Sequence, residues 1–162
     1  LKARTRGIAF ITNVDHIIAN QYPDKYGNLP KGAELRVFNS ANGIPEGWLG
    51  VAPGPRSLEV ICENVKNAYL LILAGPVNIE DAGLEEFSNT NKKLLGAIEE
   101  AKNNGAVTIG AGGDTAAMIR TYNGENAFTV ISNAGGATLE LIEKGGKLPG
   151  ITAVEESYNN LK

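Results

Sequence analysis

The sequence predicts a doubly wound α/β fold, a three-layer architecture in which a mostly parallel sheet carries helices on both faces. Strand-like and helix-like patterns alternate at least three times between Tyr69 and Lys144, which implies right-handed crossovers between parallel strands. Tyr69-Leu-Leu-Ile-Leu73 is apolar throughout, as in a strand covered on both faces. Finally, Val107-Thr-Ile-Gly-Ala-Gly-Gly-Asp-Thr-Ala-Ala117 and Val130-Ile-Ser-Asn-Ala-Gly-Gly-Ala-Thr-Leu-Glu140 both read apolar strand, glycine-rich turn, helix.

In chain order, Gly7-Ile-Ala-Phe-Ile-Thr12 is a short β-rich run and Val14 to Ala19 continues it as a second strand. From Asn20 to Pro55, five prolines (Pro23, Pro30, Pro45, Pro53, Pro55) and repeated glycines predict a structured loop region, with Glu34 to Asn39 as an edge strand. Leu58, Ile61, Val65 and Ala68 recur at helical spacing after Ser57, the expected N-cap, with Glu59 in the first turn. The strand at Tyr69–Leu73 stops at Ala74-Gly75-Pro76. Phe87 to Asn103 reads as a helix with Leu94, Leu95, Ile98 and Ala101 on one face and charges outside. Ala106–Ile109 and Phe128–Ile131 are further strands, Thr115–Tyr122 and Gly136–Lys144 further helices.

At 162 residues the chain is expected to form one domain, residues 1–162. Hydrophobic residues make up 43% and charged residues 20%, an ordinary globular balance. A net charge of −3 with scattered basic residues supplies no field for holding nucleic acid. No stretch approaches the roughly 18–20 apolar residues of a membrane span, and Leu1-Lys-Ala-Arg-Thr-Arg6 lacks a signal-peptide core. A cytoplasmic protein is therefore expected. The start on Leu1 and the strand pattern beginning soon after suggest that an upstream part precedes it. Cys62, the single cysteine, sits in an apolar-periodic stretch and is expected to be buried, with no disulfide open to it.

In an open α/β sheet, ligands bind beyond the carboxyl ends of the strands. The loops at Gly75, Gly110 and Asn133 all fall there. In Gly110-Ala-Gly-Gly-Asp-Thr115, glycines remove side chains where backbone must approach a ligand, and the helix that follows presents unpaired N–H groups and the positive end of its dipole. Asp114 either caps that helix or holds Mg²⁺ beside phosphate. In Ser132-Asn-Ala-Gly-Gly136, Gly135 and Gly136 present N–H groups, with Ser132 or Asn133 as the cap; tight strand–helix packing is the competing reading. No lysine follows the first loop, so a P-loop is excluded. His16, the only histidine, is read as structural, and Trp48 as an anchor for its proline-rich loop rather than a platform for a base.

Taken together, these segments resemble the carboxyl-terminal half of the phosphoglycerate kinase family. The resemblance runs through Asn13-Val-Asp15, Gly43-Ile-Pro-Glu-Gly-Trp-Leu-Gly-Val-Ala-Pro-Gly-Pro55, Ala74-Gly-Pro-Val-Asn78, Ala111-Gly-Gly-Asp-Thr115, Ser132-Asn-Ala-Gly-Gly-Ala-Thr-Leu-Glu140 and Leu148-Pro-Gly150. It implies phosphoryl transfer between 1,3-bisphosphoglycerate and ADP, giving 3-phosphoglycerate and ATP. It also implies Mg²⁺ at Asp114, Gly112, Gly113 and Thr115 around the phosphates, and Gly135 and Gly136 donating to the transferring phosphoryl. Gly75, Pro76 and Val77 would border the nucleoside, and Glu80 or Asp81 would take the ribose.

The chain departs from the family pattern at Ala74 (an asparagine there), at Ala111 and Ala134 (glycines) and at Asn133 (a threonine). An alanine in a phosphate loop restricts φ and is tolerated only where φ is negative. The resemblance further implies an upstream phosphoglycerate-binding domain and a lysine-bearing glycine loop that this chain lacks, so the chain alone is expected to be inactive. The competing expectation is a non-catalytic nucleotide-binding or interaction module that keeps the fold.

Overall fold

The computed structural model describes residues 2–24, 28–79 and 85–160. After a short helix α1 (Lys2–Thr5) come β1 (Asp15–Ala19), β2 (Leu35–Asn39) and β3 (Leu49–Pro53). Next are α2 (Pro55–Lys66), β4 (Leu70–Ala74), α3 (Glu85–Asn103), β5 (Val107–Ala111) and α4 (Gly113–Thr121). The chain ends in β6 (Val130–Ser132), α5 (Gly136–Glu143) and α6 (Pro149–Asn160).

The strands form two sheets of three. β4, β5 and β6 are parallel in the order β4-β5-β6, flanked by helices, as the alternating pattern predicts. β1, β2 and β3 form a separate antiparallel sheet in the order β2-β1-β3, which the sequence reading did not separate out. β2 is an edge strand as expected. β3 was hidden by the density of Pro45, Pro53 and Pro55; it is tolerated because it too lies at an edge, where a missing N–H costs no ladder bond.

Four local expectations are corrected. Residues 7–12 form no strand: they are exposed, Phe10 at 81%, because no described strand pairs with them. β4 is not covered on both faces; it is an edge strand, with Tyr69 and Leu70 93% and 59% exposed. Cys62 is half-buried rather than buried, its Sγ 3.9 Å from the Lys93 carbonyl oxygen, and partial burial pushes its thiol pKa up. Ser57 does not cap α2. The N-cap is Gly54 and Pro55 opens the helix, the position where a proline loses nothing. α6 was not anticipated, and its residues are exposed.

The capping role belongs instead to Asp15, 42 residues upstream of Ser57. Its Oδ1 accepts the Ser57 N–H at 2.8 Å and its Oδ2 the Arg56 N–H at 3.2 Å. The Gly54 N–H donates to the Asp15 carbonyl at 2.9 Å. The Ser57 hydroxyl accepts from the N–H groups of Val14 and Asp15, both at 2.9 Å, and lies 2.7 Å from both the Asp15 carbonyl and Oδ1. A strand thus caps a distant helix with a carboxylate at its positive end. Burial acts to raise the Asp15 pKa, but the hydrogen bonds from Ser57 and Arg56 and the Arg56 charge outweigh it and hold the carboxyl below its ordinary 3.8. Gly54 is required because a Cβ there would stand 2.3 Å from the Asp15 Cγ.

α3 contributes to two apolar clusters, one at its start and one along its middle. Phe87, at its start, packs with Ile17, Ala19, Val51 and Ala52 of the antiparallel sheet. Leu94, Leu95 and Ile98 pack with Met118, Ile119, Ala127 and Phe128 beside the parallel sheet. No helix among the described residues is long and apolar enough to cross a membrane.

Removing the Ser57 hydroxyl (Ser57→Ala) leaves the Val14 and Asp15 N–H groups without their acceptor, and should cost about 2 kcal/mol. Gly54→Ala should cost about 3 kcal/mol through the Asp15 clash. Thermal melts check both, at about 2–4 °C per kcal/mol for a chain of this size. Because the folded Asp15 pKa is depressed, its contribution is complete above about 3.8 and is lost as pH falls through the folded value. Melting temperature should therefore drop below about pH 4, and Asp15→Asn should flatten part of that drop.

Candidate functional site

β4, β5 and β6 run parallel in a register that pairs Ala74 with Ala111 and Ala111 with Ser132. All three strands therefore end at one level, and the next residues form one edge. There the Gly112 N–H donates to the Ser132 carbonyl at 2.8 Å. Gly112 and Gly135 pack backbone on backbone: a Cβ on Gly135 would stand 3.2 Å from the Gly112 Cα. The Gly75 N–H donates to the Thr115 hydroxyl at 2.8 Å. The three loops singled out in the sequence are thus joined by direct contacts.

The glycines fall into two classes. Gly75 and Gly112 have φ of +105° and +110°, a region that disfavours any side chain. Gly113 and Gly136 have ordinary φ, and a Cβ on either would meet nothing within 4 Å. Backbone conformation explains the first class and leaves the second unexplained. Gly113 and Gly136 are each the first residue of a helix, α4 and α5, and both are exposed.

The first donor into the α4 ladder is the Ala116 N–H, to Gly112 O at 2.9 Å, and into the α5 ladder the Leu139 N–H, to Gly135 O at 3.2 Å. The N–H groups of the three preceding residues in each helix have no intrahelical carbonyl to reach. Two helix N-termini therefore present donors and positive dipole ends at one edge.

Asp114 does not cap α4. Gly112 holds the N-cap position without a side-chain cap, and Asp114 is exposed with no hydrogen bond or ion pair among the described residues. Neither Ser132 nor Asn133 is the α5 cap residue; that position is Gly135. Ser132 acts one step earlier, its hydroxyl accepting the Ala134 N–H at 3.1 Å, while the Thr138 hydroxyl donates to the Ala134 carbonyl. Pro76 is exposed beside the edge and Val77 packs on the core. Glu80 and Asp81 lie outside the described residues. Thr115 is 1% exposed, so its side chain lies under the edge rather than on it. Residue types and spacing carried no sign of the Gly75–Thr115 bond, since its partners lie 40 residues apart.

Ala111 and Ala134 leave the loop backbone undistorted, because Asn123 is the only non-glycine residue with positive φ among the described residues. No cluster of three or more His, Cys, Asp or Glu side chains forms among them. A metal here would therefore take at most two such side chains from these residues, and the exposed Asp114 is a carboxylate at this edge. His16 is half-buried in β1, 3.4 Å from the Asn13 amide. Trp48 is half-buried with the Arg36 guanidinium 4.7 Å over its ring, anchored to β2.

Comparison with known proteins identifies the family. The sequence model of the Phosphoglycerate kinase family matches residues 1–145. The phosphoglycerate kinase of Thermosipho africanus is 32% identical over 153 residues, covering 94% of this chain and 36% of that protein. That of Dictyostelium discoideum is 34% identical over 155 residues, covering 96% and 34%. The structure of phosphoglycerate kinase from Coxiella burnetii superposes with a TM-score of 0.74 at 27% identity, over 93% of this chain and 35% of that one. The chain spans about a third of the length of these relatives. A family match over nearly its whole length, together with the shared parallel α/β layer, places it: this chain belongs to the phosphoglycerate kinase family.

Proposed function

We propose that the chain forms the phosphate-holding side of a nucleotide site, where a phosphoryl group passes between 1,3-bisphosphoglycerate and ADP. In that step the bond between phosphorus and the acyl oxygen breaks as a β-phosphate oxygen of ADP attacks. The products are 3-phosphoglycerate and ATP. The observation that carries the reading is the pair Gly113 and Gly136: glycines with no packing or backbone reason, each opening a helix at the edge where two loops touch.

Phosphoryl transfer is mostly positioning and charge stabilisation, so donors and dipoles suffice on this side. Gly135 and Gly136 present N–H groups to the transferring phosphoryl, and Gly112 and Gly113 line the nucleotide phosphates. Pro76 and Val77 border the nucleoside, with Glu80 as the ribose partner. Asp114 would hold Mg²⁺, which would supply charge neutralisation to the phosphates. Phosphoglycerate binding is assigned to the part of the protein that the relatives have beyond this span, so these 162 residues alone should not complete the reaction. A cytoplasmic setting accompanies that glycolytic role. The unstrained Ala111 and Ala134 favour this reading over a module that keeps the fold without the chemistry.

Calorimetric titration of the protein with ADP checks it. Binding should appear with Mg²⁺ present and weaken at least about tenfold, ~1.4 kcal/mol, in Asp114→Asn. Binding indifferent to Mg²⁺ in both proteins would remove the metal from the reading, and no ADP binding at all would remove the nucleotide. For the whole reaction, ATP formation from ADP and 1,3-bisphosphoglycerate is expected only once the upstream part is joined to the chain.

A further inference from the structure

We propose that Thr115 is a positioning residue, and that its hydroxyl couples the nucleoside side of the site to the phosphate side through Gly75. This rests on the nucleotide reading above and deepens it. The residue type at the start of α4 suggests a hydroxyl turned to the phosphates. Its placement says otherwise. Thr115 is 1% exposed, its Oγ accepts the Gly75 N–H at 2.8 Å, and a Cβ added to Gly112 would stand 3.7 Å from that Oγ. The hydroxyl lies beneath the glycine loop, facing β4, and the surface above it is backbone.

Gly75 is the residue this bond has most to hold. It directly follows edge strand β4 and adopts φ +105°, one of several conformations open to a glycine without strain, so contacts rather than intrinsic preference select it. Pro76 has no N–H to add a further tie. One part-buried hydrogen bond thus ties the Gly75–Pro76 turn to the phosphate-side loop, while Val77 packs on the core. Removing the acceptor leaves a part-buried N–H unpaired and loosens the turn at Gly75 and Pro76, which precedes the core-packed Val77. The N–H groups of Gly113 and Asp114 stay where α4 puts them. The two halves of a nucleotide should therefore respond differently to this one side chain.

Thr115→Val keeps the branched shape and removes the acceptor, and Thr115→Ser keeps the acceptor. Thr115→Val should weaken MgADP about tenfold while magnesium pyrophosphate, which lacks the nucleoside, binds within about twofold of the parent. Thr115→Ser should restore MgADP binding. Hydrogen exchange of the Gly75 amide should be slow in the parent and in Thr115→Ser and fast in Thr115→Val. Equal losses for MgADP and magnesium pyrophosphate, a Thr115→Ser variant as weak as Thr115→Val, or a protected Gly75 amide in Thr115→Val would overturn the inference. If the parent binds MgADP and Thr115→Val binds it equally well, this inference alone fails; if the parent binds neither ligand, the nucleotide reading fails and this one with it.

Discussion

A Cβ on Gly135 would press to 3.2 Å from the Gly112 Cα, whereas one on Gly112 would stand at an ordinary 3.7 Å from the Gly135 Cα, so the close approach of the loops after β5 and β6 depends on Gly135 carrying no side chain. The contact follows from the parallel ladder, which ends both strands at one level. It is held by the Gly112 N–H bond to the Ser132 carbonyl. From it follows the closeness of two helix N-termini, and from that the positive, donor-rich edge. β4 joins through its own register with β5 and the Gly75–Thr115 bond.

The support for this edge comes from α3. One of its ends gives Phe87 to the antiparallel cluster and its middle gives Leu94, Leu95 and Ile98 to the parallel one, so a single helix ties the two sheets. The second tie is polar. Asp15 brings a charge into a buried place, which is costly unless the charge is fully hydrogen-bonded, and the α2 N-terminus supplies the bonds together with a favourable dipole. Asp15 in β1 and Ser57 in α2 are therefore one unit, and Gly54 is the glycine that lets them close.

The parallel half of the fold was legible because its signals are local. Apolar runs, glycine turns and helical periodicity each fall within a few residues, and β5, β6, α3, α4 and α5 lie within a few residues of where these signals place them. The antiparallel half was less legible. β3 hides under prolines that an edge strand tolerates, and residues 7–12 have β-rich composition but no described partner to pair with. Ser57 reads as a cap on sequence grounds; what it binds is decided by β1, 42 residues away. The candidate site residues are visible as motifs, yet the reasons for them sort by geometry. Gly75 and Gly112 answer to backbone conformation, Gly113 and Gly136 to nothing in the fold, and Thr115 to Gly75.

The account turns on whether all three loops meet one ligand. The direct measurement is amide line broadening when MnADP replaces MgADP, with the paramagnetic ion as a distance reporter. The account predicts that the amides of Gly75, of Gly112 to Asp114 and of Gly135 to Gly136 broaden together while those of β1 and β2 stay sharp. Broadening confined to one loop, or none at this edge, would contradict it.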